Sequence, residues 1–160
     1  MTNIDLLRRG SEDLNLNLRD IDYQRFTIYK KLLKEWNEKI NITAITEDEE
    51  IDIKHFLDSL SLFTSKYFTG NKKVIDIGTG GGFPGLPLKI VNEDLNLVLL
   101  DSLNKRIKFL NEVINSLGLE NILALHGRAE ELSRKDDHRE KYDIAVSRAV
   151  ASLNTLSEYC

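Results

Sequence analysis

From Asp22 to Ile40 the apolar positions Phe26, Tyr29, Leu33, Trp36 and Ile40 recur at alternating steps of three and four. That period is one face of a helix. The opposite face carries Lys30, Lys31, Lys34 and Lys39 and reads as a solvated surface. The first twenty residues are polar with scattered leucines and predict a short helix. Thr46 and Glu49 have capping-box spacing, which predicts a further helix start. Ile53, Phe56, Leu60, Phe63 and Tyr67 then form a second apolar stripe, ended by Gly70-Asn71. His55 and Asp58 lie one turn apart on this helix, as a polar pair expected at its surface.

After residue 73 the rhythm becomes strand, helix, strand, helix. Strands are predicted at Val74 to Ile77, Leu97 to Leu100, Ile122 to His126 and Tyr142 to Ser147. Helices are predicted near Gly85 to Val91, Asn104 to Leu117 and, more weakly, Ala129 to Arg134. Pro84 suits a first helical position, and Gly118 a C-cap. The strands are short continuous apolar runs, as when both sheet faces are covered. The expected fold is therefore α/β: a doubly wound parallel sheet with an N-terminal helical extension. Residues 1–70 are the helical region and 71–160 the Rossmann-like domain.

Length and composition narrow this picture without changing it. The 160 residues suit one domain with a real core, and 41% apolar with 30% charged residues is ordinary for a globular chain. A net charge of −4 argues against broad nucleic-acid affinity, though not against a local basic face. No apolar run is long enough to span a membrane, and no secretory pattern opens the chain. The single Cys160 cannot form an internal disulfide, so a reducing cytoplasm is the default. Asn41-Ile42-Thr43 matches a glycosylation acceptor only by chance.

The candidate chemistry sits at the first strand. Val74-Ile75-Asp76-Ile77 opens into Gly78-Thr79-Gly80-Gly81-Gly82-Phe83-Pro84-Gly85. Glycines at such a junction let backbone N–H groups approach a ligand. Gly78 and Gly80 fit the dinucleotide fingerprint, but its third place falls on Phe83. Gly78, Gly80 and Gly82 read G-x-G-x-G instead. With Asp76 upstream, this resembles the first motif of S-adenosylmethionine-dependent methyltransferases. A Walker loop is excluded, since no Gly-Lys-Ser/Thr follows. Asp101 ends the second strand, 23 residues after Gly78, where an acid can accept from ribose hydroxyls or cap the next helix. A Cβ at Gly80 would fill space needed by the cofactor's carboxyl end.

Five segments together resemble one family, the 16S ribosomal RNA guanine-N7 methyltransferases, also called glucose-inhibited division protein B. They are Trp36-Asn37-Glu38-Lys39-Ile40-Asn41-Ile42-Thr43, His55-Phe56-Leu57-Asp58-Ser59-Leu60, the Ile75-to-Gly85 loop, Leu100-Asp101-Ser102-Leu103-Asn104-Lys105-Arg106, and Val146-Ser147-Arg148-Ala149-Val150-Ala151-Ser152-Leu153-Asn154. The resemblance implies a class I methyltransferase domain acting in the cytoplasm on 16S ribosomal RNA of the small subunit. On matching positions it implies that Gly78, Gly80, Gly82 and Phe83 line the cofactor, Asp101 holds the ribose, and Ala129 and Glu130 frame the adenine. Arg148 would close the site beside the methyl group.

The chemistry such a family performs needs no general base, because guanine N7 carries a lone pair and no proton. Arg148 is therefore expected to hold a phosphate, a carbonyl oxygen or the cofactor carboxylate. No catalytic proton-transfer residue and no metal site are expected. Phe83 is either a platform for an unstacked base or packing beneath the loop. The lysines of the 30–39 helix, and Arg134, Lys135, His138 and Arg139, are the basic groups available to RNA. Only four strands are foreseen, against the seven of a complete sheet of this family. The C-terminal strands are thus expected to be missing, leaving at most weakened cofactor binding, poor binding of ribosomal RNA and undetectable methylation. Two rivals remain open: a non-catalytic cofactor- or RNA-binding module, and a dinucleotide-dependent oxidoreductase, which Phe83 disfavours. The sequence is silent on oligomeric state.

Overall fold

The computed structural model describes residues 3–148. Two helices open the chain, α1 (Asn3–Asp13) and α2 (Asp20–Asn37). A long irregular helix follows: α3 (Asp48–Ile51), a π-helical segment (Asp52–Leu57), α4 (Asp58–Leu60) and a 3₁₀ segment (Ser61–Ser65). Then β1 (Lys73–Ile77), α5 (Gly85–Val91), β2 (Asn96–Asp101), α6 (Asn104–Leu117), β3 (Ile122–His126), α7 (Ala129–Leu132) and β4 (Ile144–Ser147) alternate. The four strands are parallel in the order β3-β2-β1-β4. Three expected elements have the foreseen bounds, while the last strand begins two residues late. The part of the last quoted motif from Ala149 to Asn154 lies outside the described residues.

β1 is central, with Ile75 opposite Val98 of β2 and Ala145 of β4. Side chains alternate across the pleat. Val74, Leu97, Leu99 and Val146 face a core that also contains Tyr23, Phe26 and Phe56. Ile75, Ile77 and Leu100 face the other way, onto Leu132 of α7. The N-terminal helices and the sheet thus share one core.

The long helix departs from the expected stripe. Ile53 is 50% exposed and Tyr67 72% exposed. Phe56 and Leu60 of that stripe are buried, and Ile51, Asp52, His55 and Ser59 are buried with them. The π-helical segment is the cause: its wider turn adds a residue and shifts the phase of the buried face. The expected capping box is also absent. Glu47 occupies the N-cap without a side-chain bond, and Asp48, Glu49 and Glu50 fill the first turn, where carboxylates favour the helix dipole.

Two of the lysines on α2 belong to this packing. Lys30, only 12% exposed, pairs at 2.6 Å with the buried Asp52, and Lys34 reaches Asp48 at 2.6 Å. Lys31 keeps the expected exposed position. Tyr29 extends from α2 beneath the glycine loop, where its hydroxyl donates to the Gly81 carbonyl. Its ring stacks on Phe83 at 5.5 Å. The N-terminal region therefore holds the loop directly.

Tyr29→Phe keeps the ring and removes only the bond to Gly81. A buried carbonyl left without its partner costs roughly 1–3 kcal/mol. Urea denaturation is expected to show that loss, and a wild-type midpoint would mean the bond contributes nothing.

Candidate functional site

The loop after β1 is shaped by one buried acid. Asp76 has no exposure to solvent. Its Oδ2 accepts the Thr79 hydroxyl at 2.8 Å and the Gly85 N–H at 2.8 Å. Gly78, Gly80 and Gly82 all have positive φ, at 64°, 58° and 97°, so the working triplet is G-x-G-x-G. Gly85 must be glycine for another reason. A Cβ there would lie 2.8 Å from Asp76 Oδ2 and 2.7 Å from Leu99. The N–H that opens α5 is thereby taken by the protein's own Asp76 carboxyl group. With that amide already engaged, the place is disfavoured for a pyrophosphate.

Asp101 is poised on the far side of the loop. Its Oδ2 accepts the Gly80 N–H at 2.9 Å and lies 3.5 Å from Arg106. Its Oδ1 accepts the Leu103 N–H at 3.0 Å. Leu103, and not Asp101, is the N-cap of α6. Each carboxylate oxygen retains acceptor capacity for a hydroxyl.

Two cavities meet at Gly78, Asp101 and Ser102. One, about 240 Å³, is walled by Ile77, Leu100, Ala129 and Glu130. The other, about 480 Å³, is walled by Thr43, His55, Gly80, Phe83, Arg106 and Arg148. A larger groove of about 570 Å³ under Lys30 and Lys34 shares no residue with either.

Arg148 follows β4 and is held from the long helix. It donates to His55 Nδ1 at 2.7 Å, to the Lys54 carbonyl at 3.0 Å and to Asp58 Oδ2 at 3.3 Å. Its guanidinium also lies 5.2 Å from the Phe83 ring centre. His55 is not the surface member of a His–Asp pair. It is 5% exposed, lies flat on Phe83 at 4.2 Å, and meets Thr43 Oγ1 at 2.8 Å. Burial, and then Arg148, push its pKa down to about 4, so the ring is neutral near pH 7. Burial pushes Asp76 up to about 8 against its two hydrogen bonds.

Of the residues singled out from sequence, Gly78, Gly80, Phe83, Asp101, Ala129, Glu130 and Arg148 line the paired cavities. Gly82 does not. A Cβ on it would meet Leu86 and the Tyr29 hydroxyl, so it faces the core. Phe83 is 4% exposed between His55 and Tyr29, which leaves the packing reading and not the base platform. Thr43, His55, Ser102 and Arg106 were not assigned roles from sequence. Their signal was membership of the quoted motifs.

A family model described as rRNA small subunit methyltransferase G matches residues 22–160. The chain belongs to that family. Ribosomal RNA small subunit methyltransferase G of Clostridium perfringens is 55% identical over 160 residues, which are 100% of this chain and 67% of that protein. The protein of the same name from Alkaliphilus metalliredigens is 55% identical over 155 residues, 97% of this chain and 65% of that one. The chain thus spans about two thirds of the length of these relatives. A variant of MtNAS in complex with S-adenosylmethionine aligns with TM-score 0.53 and 15% identity, over 82% of this chain and 51% of that one. Coclaurine N-methyltransferase bound to N-methylheliamine and SAH aligns with TM-score 0.51 and 13% identity, over 90% and 50% of the two chains. These two share the fold. Methyltransferase G enzymes transfer a methyl group from S-adenosylmethionine to N7 of a guanine in 16S ribosomal RNA.

The two loop glycines are expected to fail differently. A Cβ at Gly80 meets nothing within 4 Å, so Gly80→Ala costs only the strain of its positive φ and intrudes on the cavity. Gly85→Ala forces a shift in the packed Asp76 and Leu99, which costs about 1–3 kcal/mol. Thermal melts should show the larger loss for Gly85→Ala, and calorimetry with S-adenosylhomocysteine the selective loss for Gly80→Ala.

Asp76 sets a pH signature. The unfolded chain releases this proton near 3.8 and the folded chain near 8, so folding stability falls as pH rises across that window. His55 acts in the opposite sense, its contribution being lost as pH falls from 6.5 toward 4. Asp76→Asn cannot ionise, so its melting temperature relative to wild type is expected to rise between pH 5 and pH 8. A difference that does not change with pH would refute the assignment.

Proposed function

We propose that the joined cavities hold S-adenosylmethionine, with Asp101 at their junction as the ribose ligand. The observation that carries this is the Asp101 carboxylate, pinned by the Gly80 and Leu103 amides with an acceptor site left on each oxygen. The residues fit the group. Gly80 presents open space where a side chain would intrude, and the two cavities taken together fall in the range of small-ligand sites. Ala129 and Glu130 frame the adenine, and Gly78, Gly80 and Arg148 bound the methionine end. Gly82 and Phe83 support the loop from beneath.

When bound, the cofactor supplies an electrophilic methyl on a sulfonium. The protein's part is to place guanine N7 in line with that methyl, and proximity of this kind is worth roughly 7–11 kcal/mol in favourable cases. N7 has no proton to remove, so a site without a general base is consistent with the reaction. His55 has no part in proton transfer, since its ring stays neutral and both nitrogens are engaged. The reaction moves positive charge from sulfur to the purine. Arg148 is anchored by His55, Asp58 and the Lys54 carbonyl, which keeps its charge on the protein side of the site.

The substrate form we propose is the small ribosomal subunit, and the compartment is the bacterial cytoplasm, where that particle resides. Lys31 and the basic loop of Arg134, Lys135, His138 and Arg139 are the groups proposed to meet RNA phosphates. The rival reading, a module that binds cofactor or RNA without catalysis, is separated by assay. Small subunits lacking the N7 methyl are incubated with labelled cofactor and either this chain or a form extended to its relatives' length. Label in the RNA with the extended form supports the enzyme, and cofactor binding with label from neither form supports the rival. Binding of NAD in place of S-adenosylhomocysteine would overturn both.

Asp101→Ala is expected to weaken S-adenosylhomocysteine binding tenfold to a few hundredfold, because bonds to a charged acceptor are worth roughly 1.5–3 kcal/mol each and do not add fully. Calorimetry reads this directly, and unchanged affinity would place the ribose elsewhere.

A further inference from the structure

The long helix places a histidine where the established chemistry has no use for a base. His55 is buried, uses both ring nitrogens and lies against the one arginine that follows β4. A guanidinium only donates, so Nδ1 must carry its lone pair toward Arg148. The ring proton is therefore on Nε2 and is donated to Thr43 Oγ1. The same hydroxyl oxygen accepts the Ile45 N–H at 3.1 Å. The Thr43 backbone is fixed in turn by Asn37, whose Oδ1 accepts the Ile42 and Thr43 amides at 2.8 and 2.9 Å. The parallel contact with Phe83, 7° from coplanar, leaves the ring no room to turn.

Arg148 uses three of its five N–H groups on Lys54, His55 and Asp58. Among the described residues no other acceptor is bonded to it, so two remain for a ligand in the cavity that it lines. A planar donor with paired N–H groups suits a carboxylate. The charged groups facing His55 are Arg148 and, on its own helix, Asp58.

We propose that His55 is a positioning residue: stacked on Phe83 and anchored by Thr43, it holds the Arg148 guanidinium where it receives the carboxylate of the cofactor's methionine end. This rests on the cofactor reading above. His55 touches no reacting atom and acts through Arg148. The motifs around Asn37–Thr43, His55 and Arg148 thereby become one hydrogen-bonded chain.

The test compares two ligands by calorimetry on the 160-residue chain: S-adenosylhomocysteine, which has the carboxylate, and 5′-methylthioadenosine, which lacks it. Arg148→Ala is expected to weaken the first roughly tenfold or more and leave the second nearly unchanged. His55→Phe keeps the stack on Phe83 but offers Arg148 no acceptor, and should reproduce that selective loss. His55→Asn restores an acceptor near Nδ1 and should recover most of it. The double variant His55→Phe/Arg148→Ala should bind no worse than Arg148→Ala alone, since both act through one contact.

The proposal is overturned if His55→Phe binds S-adenosylhomocysteine as wild type does. Equal losses for both ligands, or a loss that adds to that of Arg148→Ala, overturn it as well. Should His55→Phe fail to fold, Thr43→Val frees the ring without touching the core and must show the same selectivity, and a wild-type ratio there rejects the proposal. If wild type binds neither ligand, the cofactor reading itself falls, which is a different result from these.

Discussion

Near the end of β1 the Asp76 carboxylate, shut away from water, receives the Thr79 hydroxyl and the Gly85 amide on one oxygen. Its other oxygen is buried without a partner among the described residues. Burial this deep holds the group protonated well above the usual carboxylate range, at the point where the chain turns from β1 toward α5. The two bonds curl the loop so that Gly80 points its amide at Asp101 and leaves open space beside it. They also take up the start of α5. What remains beside the loop is open space bounded by the Asp101 carboxylate.

The helical N-terminal region is part of the same device. Tyr29 supports the glycine loop from below through the Gly81 carbonyl. Trp36 packs toward Phe109 of α6 and donates to Glu112 at 2.7 Å. Asn37, the last residue of α2, folds the following segment back so that Thr43 reaches the site. The floor and one wall of the larger of the two joined cavities therefore come from residues upstream of the sheet.

The parts legible in the sequence were those governed by local pattern. β-branched and leucine runs between helical periods marked the strands, and Gly78 and Gly80 with Asp101 marked two sides of the cavities. Residues whose position depends on distant packing were not legible. His55 looked like a surface residue because the helix was assumed to keep one period. The π-helical segment breaks that assumption, burying Asp52 and His55 and turning Ile53 outward. Lys30 looked solvated because its partner, Asp52, was assigned to no face. Gly82 looked like a ligand glycine because spacing does not reveal which side of a turn a Cβ would enter. The link from Arg148 to His55 spans 93 residues, and no local rule carries that far.

The π turn has a consequence for how this sequence tolerates change in length. A π turn is a one-residue surplus inside an α-helix. Removing one residue between Asp52 and Leu57 would let the helix relax to the ordinary period with its two flanks still in phase, but the residues inside the turn would lose their present directions. The amino acids that contact Arg148 would all still be present in the chain. Their registration against Phe83 and Thr43 would be gone. The segment is therefore sensitive to indels in a way that residue-by-residue substitution would not reveal, because the feature it encodes is a phase and not a side chain.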